Sequence, residues 1–226
     1  MNVKTTEKRR PVLALLAGAL TVLALLPAAL QSQETWPRGT GLGLFGGYAK
    51  PSNELYEGAI AYGFSLSYVV TQNLAVELTG FRFESAVEAS KEGFSEGKLA
   101  VMPVQLSVQG RFPMSGGRLI PFIEAGAGYY INKFSLDSGL VSDWAALGFD
   151  MEESVESVFG FHFGAGLDFF VSGNISLGAE VKYSIATAKG TWSLRETAGG
   201  TEASGDLEDL DVGPLAFGIR LKYVLK

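Results

Sequence analysis

The chain has 226 residues, of which 29 are glycine and none is cysteine; 12% are aromatic and the formal net charge is −6. That length allows one large all-β unit. The missing cysteine removes disulfides and thiolate metal sites, and the acidic balance excludes a nucleic-acid partner, which needs a basic face.

At the N-terminus, Lys4, Lys8, Arg9 and Arg10 precede an apolar run from Val12 to Leu26 that ends in Pro27-Ala28-Ala29-Leu30. A charged start, an apolar middle and a small-residue end make a secretory signal, assigned to residues 1–30 with cleavage somewhere within 28–33. A retained inner-membrane anchor is the alternative. No cysteine follows the apolar run, so a lipid-anchored N-terminus is not available. Losing four basic groups and Glu7 takes the net charge from −6 to −9, and residues 31–226 remain as one domain.

Residues 40–49 read as a first strand, with Leu42, Leu44 and Tyr48 on one face. A second strand, 59–70, sets Ile60, Tyr62, Phe64, Leu66, Tyr68 and Val70 against Ala61, Gly63, Ser65 and Ser67. After Thr71-Gln72-Asn73 a third begins, with Leu74, Val76 and Leu78 opposite Glu77 and Thr79. Beyond Gly80 the alternation blurs, which predicts a bulge. In the fourth, 98–112, Pro103 lacks a ladder donor and predicts a bulge or a strand end. A turn at 113–118 leads to a fifth strand, 119–133, in which Glu124, Gly126, Gly128 and Asn132 oppose Ile123, Ala125, Ala127, Tyr129 and Ile131.

The clearest stretch is 158–187. Phe159, Phe161, Phe163, Ala165, Leu167, Phe169 and Val171 alternate with glycines, His162 and Asp168. After Ser172-Gly173-Asn174 the same pattern resumes from Ile175 to Ile185, with Glu180 and Lys182 on the minor face. Period two is the signature of strand. An eighth strand, 214–225, ends the chain.

Alternation alone does not say which face is inside. A soluble barrel covers its outside with charge, about 25–35% of that surface. Here the less apolar face is mostly Gly, Ser and Ala with a few charges, which suits the cramped interior of a narrow closed barrel, with Phe, Leu, Val and Ile turned to lipid. A tilted spanning strand needs only about 9–11 residues, and these are long enough. Connections alternate too: short at 71–73, 113–118 and 172–174, long at 50–58, 85–97, 134–157 and 188–213. The expectation is an all-β, eight-stranded antiparallel up-and-down transmembrane β-barrel with both termini in the periplasm. Rings should gather at two levels, Tyr68, Phe112, Phe169 and Tyr223 near the short turns, and Tyr48, Tyr129, Phe159, Phe161 and Tyr183 near the long loops.

The long loops carry 17 carboxylates against Lys50, Lys91, Lys189 and Arg195, and are expected to be solvated tips. Their spacing matches no calcium loop, so no metal site and no cofactor is assigned.

Three stretches, MPVQLSVQGRFP, PFIEAGAGYY and FGFHFGAGLDFFVSGNISLGAEVKYS, resemble the small eight-stranded bacterial outer-membrane β-barrel superfamily that includes the outer-membrane protein W type. The resemblance covers most of residues 40–226. It implies an integral outer-membrane protein, assembled by the barrel assembly machinery and surrounded by outer-membrane lipid and lipopolysaccharide; some members have a narrow lumen proposed to pass small hydrophobic solutes. Such barrels usually end in an aromatic residue, whereas this chain ends Tyr223-Val224-Leu225-Lys226.

The candidate site is a lumen charge network of Glu77, Arg111, Glu124, His162, Asp168, Glu180, Lys182, Arg220 and Lys222. Unpaired charge in a narrow bore is costly, so these groups should pair across strands and plug it. Three readings follow. One is a non-enzymatic barrel with an envelope-structural or surface-interaction role, the second a narrow transport barrel, the third a lipid-modifying enzyme. The third rests on Gly93-Phe94-Ser95-Glu96-Gly97, which matches a nucleophile elbow, with His162 as the one available base. Gly41-Leu42-Gly43-Leu44-Phe45-Gly46 matches a dinucleotide fingerprint but lies inside a strand, and is a coincidence of glycine-rich β sequence.

Overall fold

A computed structural model describes residues 39–53, 55–87, 96–114, 117–200 and 202–225. The signal segment, and residues 93–95 of the elbow motif, lie outside the described residues. Eleven strands and one helix are present among those described: β1 (Thr40–Pro51), β2 (Ala59–Thr71), β3 (Leu74–Val87), β4 (Gly97–Arg111), β5 (Leu119–Leu136), α1 (Ser138–Ala146), β6 (Phe149–Val155), β7 (Val158–Phe170), β8 (Ile175–Ile185), β9 (Thr187–Glu196), β10 (Glu202–Asp211) and β11 (Pro214–Val224). Eight of the strands close an antiparallel barrel in the order β1-β11-β8-β7-β5-β4-β3-β2, while β10, β9 and β6 form a separate three-stranded sheet.

The short turns share one end of the barrel, and two of them are tied to neighbouring strands by asparagine. Asn73 Nδ2 donates to the Arg111 carbonyl at 3.0 Å, and Asn174 Nδ2 donates to the Val224 carbonyl at 2.8 Å. A side-chain amide there satisfies a carbonyl where the ladder ends.

Two local expectations are corrected. β3 does not bulge at Gly80: its register with β4 is the same at Gly80↔Val104 and Phe83↔Val101. What is lost is the pairing of the two residues between, opposite Met102 and Pro103, because proline has no donor to give. β4 runs through Pro103, which stays paired with Tyr130 of β5. The register irregularity adjoining β3 lies at Val69/Thr71, beside the turn.

The larger correction concerns the long-loop end. Through the membrane-level part of the barrel the inward positions are mostly polar or small and the outward ones apolar, with Ile120, Phe122, Phe170 and Val224 as inward apolar residues toward the short turns. Further along β3 the phase continues but the chemistry inverts: Phe81, Phe83 and Val87 are buried inside, while Arg82 and Glu84 are exposed outside. β4 does the same, with Leu99 and Val101 inside and Lys98 outside. On β5 Tyr130 and Phe134 are buried and Lys133 is exposed. β5 spans 18 residues, about 60 Å at strand rise, roughly twice the hydrocarbon thickness. Its outer part therefore stands in water, where a barrel must bury its apolar face.

The loops after β5 and β8 are likewise not bare solvated tips. They fold into α1 and the β10-β9-β6 sheet, whose Val155, Ala188, Leu207 and Leu210 join Phe45, Phe81, Phe83, Leu99 and Val101 in one apolar cluster over the bore. α1 is capped by Asp137, whose carboxylate accepts from Gly139 N at 2.8 Å.

Candidate functional site

All nine sequence-assigned residues lie on inward positions of β3, β4, β5, β7, β8 and β11, because each shares the parity of the small residues on its own strand. Seven of them join into one connected set. Arg220 is its centre: the guanidinium donates to Asp168 at 2.9 and 3.1 Å, to Glu180 at 2.8 Å and to Glu77 at 3.2 Å. Lys222 lies 2.5 Å from Glu77 and 4.0 Å from Asp168. Lys182 lies 3.0 Å from Glu124 and 4.0 Å from Glu180. Arginine suits the centre because its planar fork serves several carboxylates at once, which a lysine point charge does not.

Arg111 and His162 stand apart. Arg111 is buried next to the short-turn end, its carbonyl held by Asn73. His162 meets Ser107, its Nε2 at 2.7 Å from the hydroxyl, and both are buried. The histidine thus faces Ser107 inside the bore and is closed off from bulk solvent. Across the nine residues the charges balance, four carboxylates against Arg111, Lys182, Arg220 and Lys222, which makes a neutral filling.

Several partners escaped the sequence reading. Gln109 donates to Glu124 at 2.9 Å, and Gln105 donates to the Tyr130 hydroxyl at 2.8 Å and to Ser184 at 3.3 Å. Phe122 lies under Arg220, the guanidinium carbon 4.2 Å from the ring centre. The signal was available: Phe122 has the parity of Glu124, so the same strand alternation puts it inside. Space for the ring comes from Gly166, where a Cβ would fall 2.6 Å from Phe122 Cε1. Below the set, Ile120, Phe170 and Val224 close the short-turn end. Above it lies the apolar cluster.

Of the nine rings expected at two levels, seven are exposed outward, while Phe112 and Tyr183 are only partly exposed. Tyr68, Phe169 and Tyr223 are exposed near the short turns; Tyr48, Tyr129, Phe159 and Phe161 are exposed nearer the long loops. Among the described residues, no group of three His, Asp or Glu side chains is placed to hold a metal ion.

The family model described as outer membrane protein beta-barrel domain matches residues 16–223. Among solved structures, the chain is similar to the outer membrane protein OprG from Pseudomonas aeruginosa, with 17% identity over 84% of this chain and 98% of that one, TM-score 0.62. It is also similar to Neisserial surface protein A (13% identity, 83% and 97% covered, TM-score 0.58). A third is AlkL, solved in lipid bilayers (18% identity, 87% and 94% covered, TM-score 0.53). No curated protein sequence matches.

Proposed function

Because the chain belongs to the outer membrane protein β-barrel domain family, and so resides in the bacterial outer membrane, we propose that it serves there as a closed, non-enzymatic barrel with an envelope-structural or surface-interaction role. The observation that carries this is the double filling of the bore. The Arg220-centred set occupies the membrane level, and the apolar cluster with its covering sheet lies over it. An eight-stranded barrel leaves a bore just wide enough for side chains, and here they fill it. A catalytic role would need a reactive group within reach of substrate; the Ser107–His162 pair is buried from both ends. Outer-membrane lipid, lipopolysaccharide and, during biogenesis, the barrel assembly machinery are the partners this reading implies.

Planar-bilayer recording of the purified mature chain tests it. Closed barrels give no steady unitary current; reproducible single-channel openings would overturn the proposal.

A second reading, a transport barrel for small hydrophobic solutes, is favoured by one observation. The outer part of the bore is lined by Phe45, Phe81, Phe83, Leu99 and Val101, which would suit an apolar guest if they parted. Uptake of a short alkane by a deletion strain separates the two: an unaltered rate removes the transport reading.

A further inference from the structure

Three cations on adjacent strands break the acidic character of the long-loop end: Arg82 on β3, Lys98 on β4 and Lys133 on β5, all facing outward. Their level is set by the ladder. Arg82 pairs with Tyr62 of β2, an exposed ring of the outer aromatic level. On β4 and β5 the neighbouring outward residues are Met102 and Ile131, also exposed and apolar. One step further from the bilayer comes the row Glu84–Ala100–Lys133, then the row Ala86–Lys98–Ser135. Beyond these the charge turns acidic again at Glu96 and Asp137. The cations thus occupy a narrow strip between hydrocarbon and water.

Among the described residues of the strip, Glu84 is the one carboxylate. It lies 3.4 Å from Arg82 and 3.6 Å from Lys98, in pairs whose side chains are 45–68% exposed. Such long, solvated pairs are weak. They leave both cations oriented toward a common point on the outer wall and free to exchange Glu84 for a stronger acceptor. Ala100 between Glu84 and Lys133 leaves that point uncovered by side chain, and adjacent strands about 5 Å apart put Lys133 roughly 10 Å from Glu84.

We propose that Arg82, Lys98 and Lys133 form a binding site for the phosphate groups of an outer-leaflet lipid headgroup. Phosphate is the acceptor that an arginine fork and two ammonium groups bind best. The strip lies where the aromatic level ends, which is where headgroups begin. A fixed cationic site there holds the lipid without a bridging divalent cation.

The test uses the mature full-length chain in dodecyl maltoside micelles, which carry no phosphate, with bisphosphorylated lipid A, dephosphorylated lipid A, or neither added, and thermal unfolding read by heat-modifiable migration. Unfolding of the unaltered protein should shift upward with bisphosphorylated lipid A alone. In R82Q/K98Q/K133Q the concentration for half the shift should rise by about fivefold per cation removed. In E84Q it should fall, since the internal competitor is gone. An equal shift with dephosphorylated lipid A, or in the triple variant, overturns the site. Equal stabilisation by inorganic phosphate at the same phosphorus concentration overturns the lipid assignment. Should the triple variant fail to fold, the single K133Q exchange gives the same reading.

Discussion

Replacing Arg220 with Met removes a group that touches three carboxylates, Glu77, Asp168 and Glu180. Asp168 would keep Lys222 at 4.0 Å, Glu180 would keep Lys182 at 4.0 Å, and Glu77 alone would keep a close partner, Lys222 at 2.5 Å. Both Asp168 and Glu180 are then left as buried charges with only a distant cation, in a site that water barely reaches. Breaking a buried pair by removing one partner costs about 3–5 kcal/mol, most of it the penalty on the charge left behind. The loss should therefore appear in urea unfolding of the barrel in phosphatidylcholine vesicles as a clear fall in midpoint. Adding Asp168→Asn and Glu180→Gln to the same variant removes the stranded charges and should recover much of that fall. If R220M unfolds within about 1 kcal/mol of the unaltered protein, as an exposed pair would, the carboxylates are solvated and the bore is not filled.

Phe83→Ala should destabilise the barrel by about 3–5 kcal/mol, since it empties a ring-sized volume in the outer apolar layer. Phe64→Ala, on the lipid-facing wall, should lose only the transfer of its ring from water to lipid, about 2 kcal/mol in the same urea titration, because acyl chains fill the space it leaves. Comparable losses would show that β3 beyond Gly80 does not face inward. Gly166→Leu places side-chain atoms where Phe122 lies against β7, so the fraction of chain that folds into detergent should drop sharply; normal folding yield would mean the Phe122 ring lies elsewhere.

Much of the barrel is legible in the sequence. From Val158 to Ile185 one environment surrounds most of each strand, so polarity and parity agree and both the faces and the turn follow. The charge set was legible for the same reason: Glu180 and Lys182 sit at the parity of Gly178 and Ser184. What was hidden has a shared cause. From Gly80 to Val87 the parity is unbroken, but the surroundings change from lipid to water, so an observer assuming one environment sees the pattern dissolve. The acidic stretches around Glu152 and Asp206 concealed strands by the same effect. Most of their charged positions face water, Glu153 being an exception that shares the buried side with Val155, and only sparse apolar residues such as Val155 and Leu207 mark that side. Pro103 suggested a break because a missing donor is visible in sequence, whereas the continuous ladder to Tyr130 that compensates for it is not.

The change of wall chemistry at Arg82 works as a waterline. Were the barrel to sink by one residue pair, about 7 Å along a strand, Arg82, Glu84 and Lys133 would enter hydrocarbon, where a cation costs up to about 2–4 kcal/mol at the midplane. Were it to rise as far, Met102, Ile131 and Tyr62 would be lifted into water and lose the lipid that covers them. Each displacement meets a restoring force. Vertical position and tilt of the protein are thus encoded in its wall, and the height of its three-stranded sheet relative to the bilayer is held by that wall.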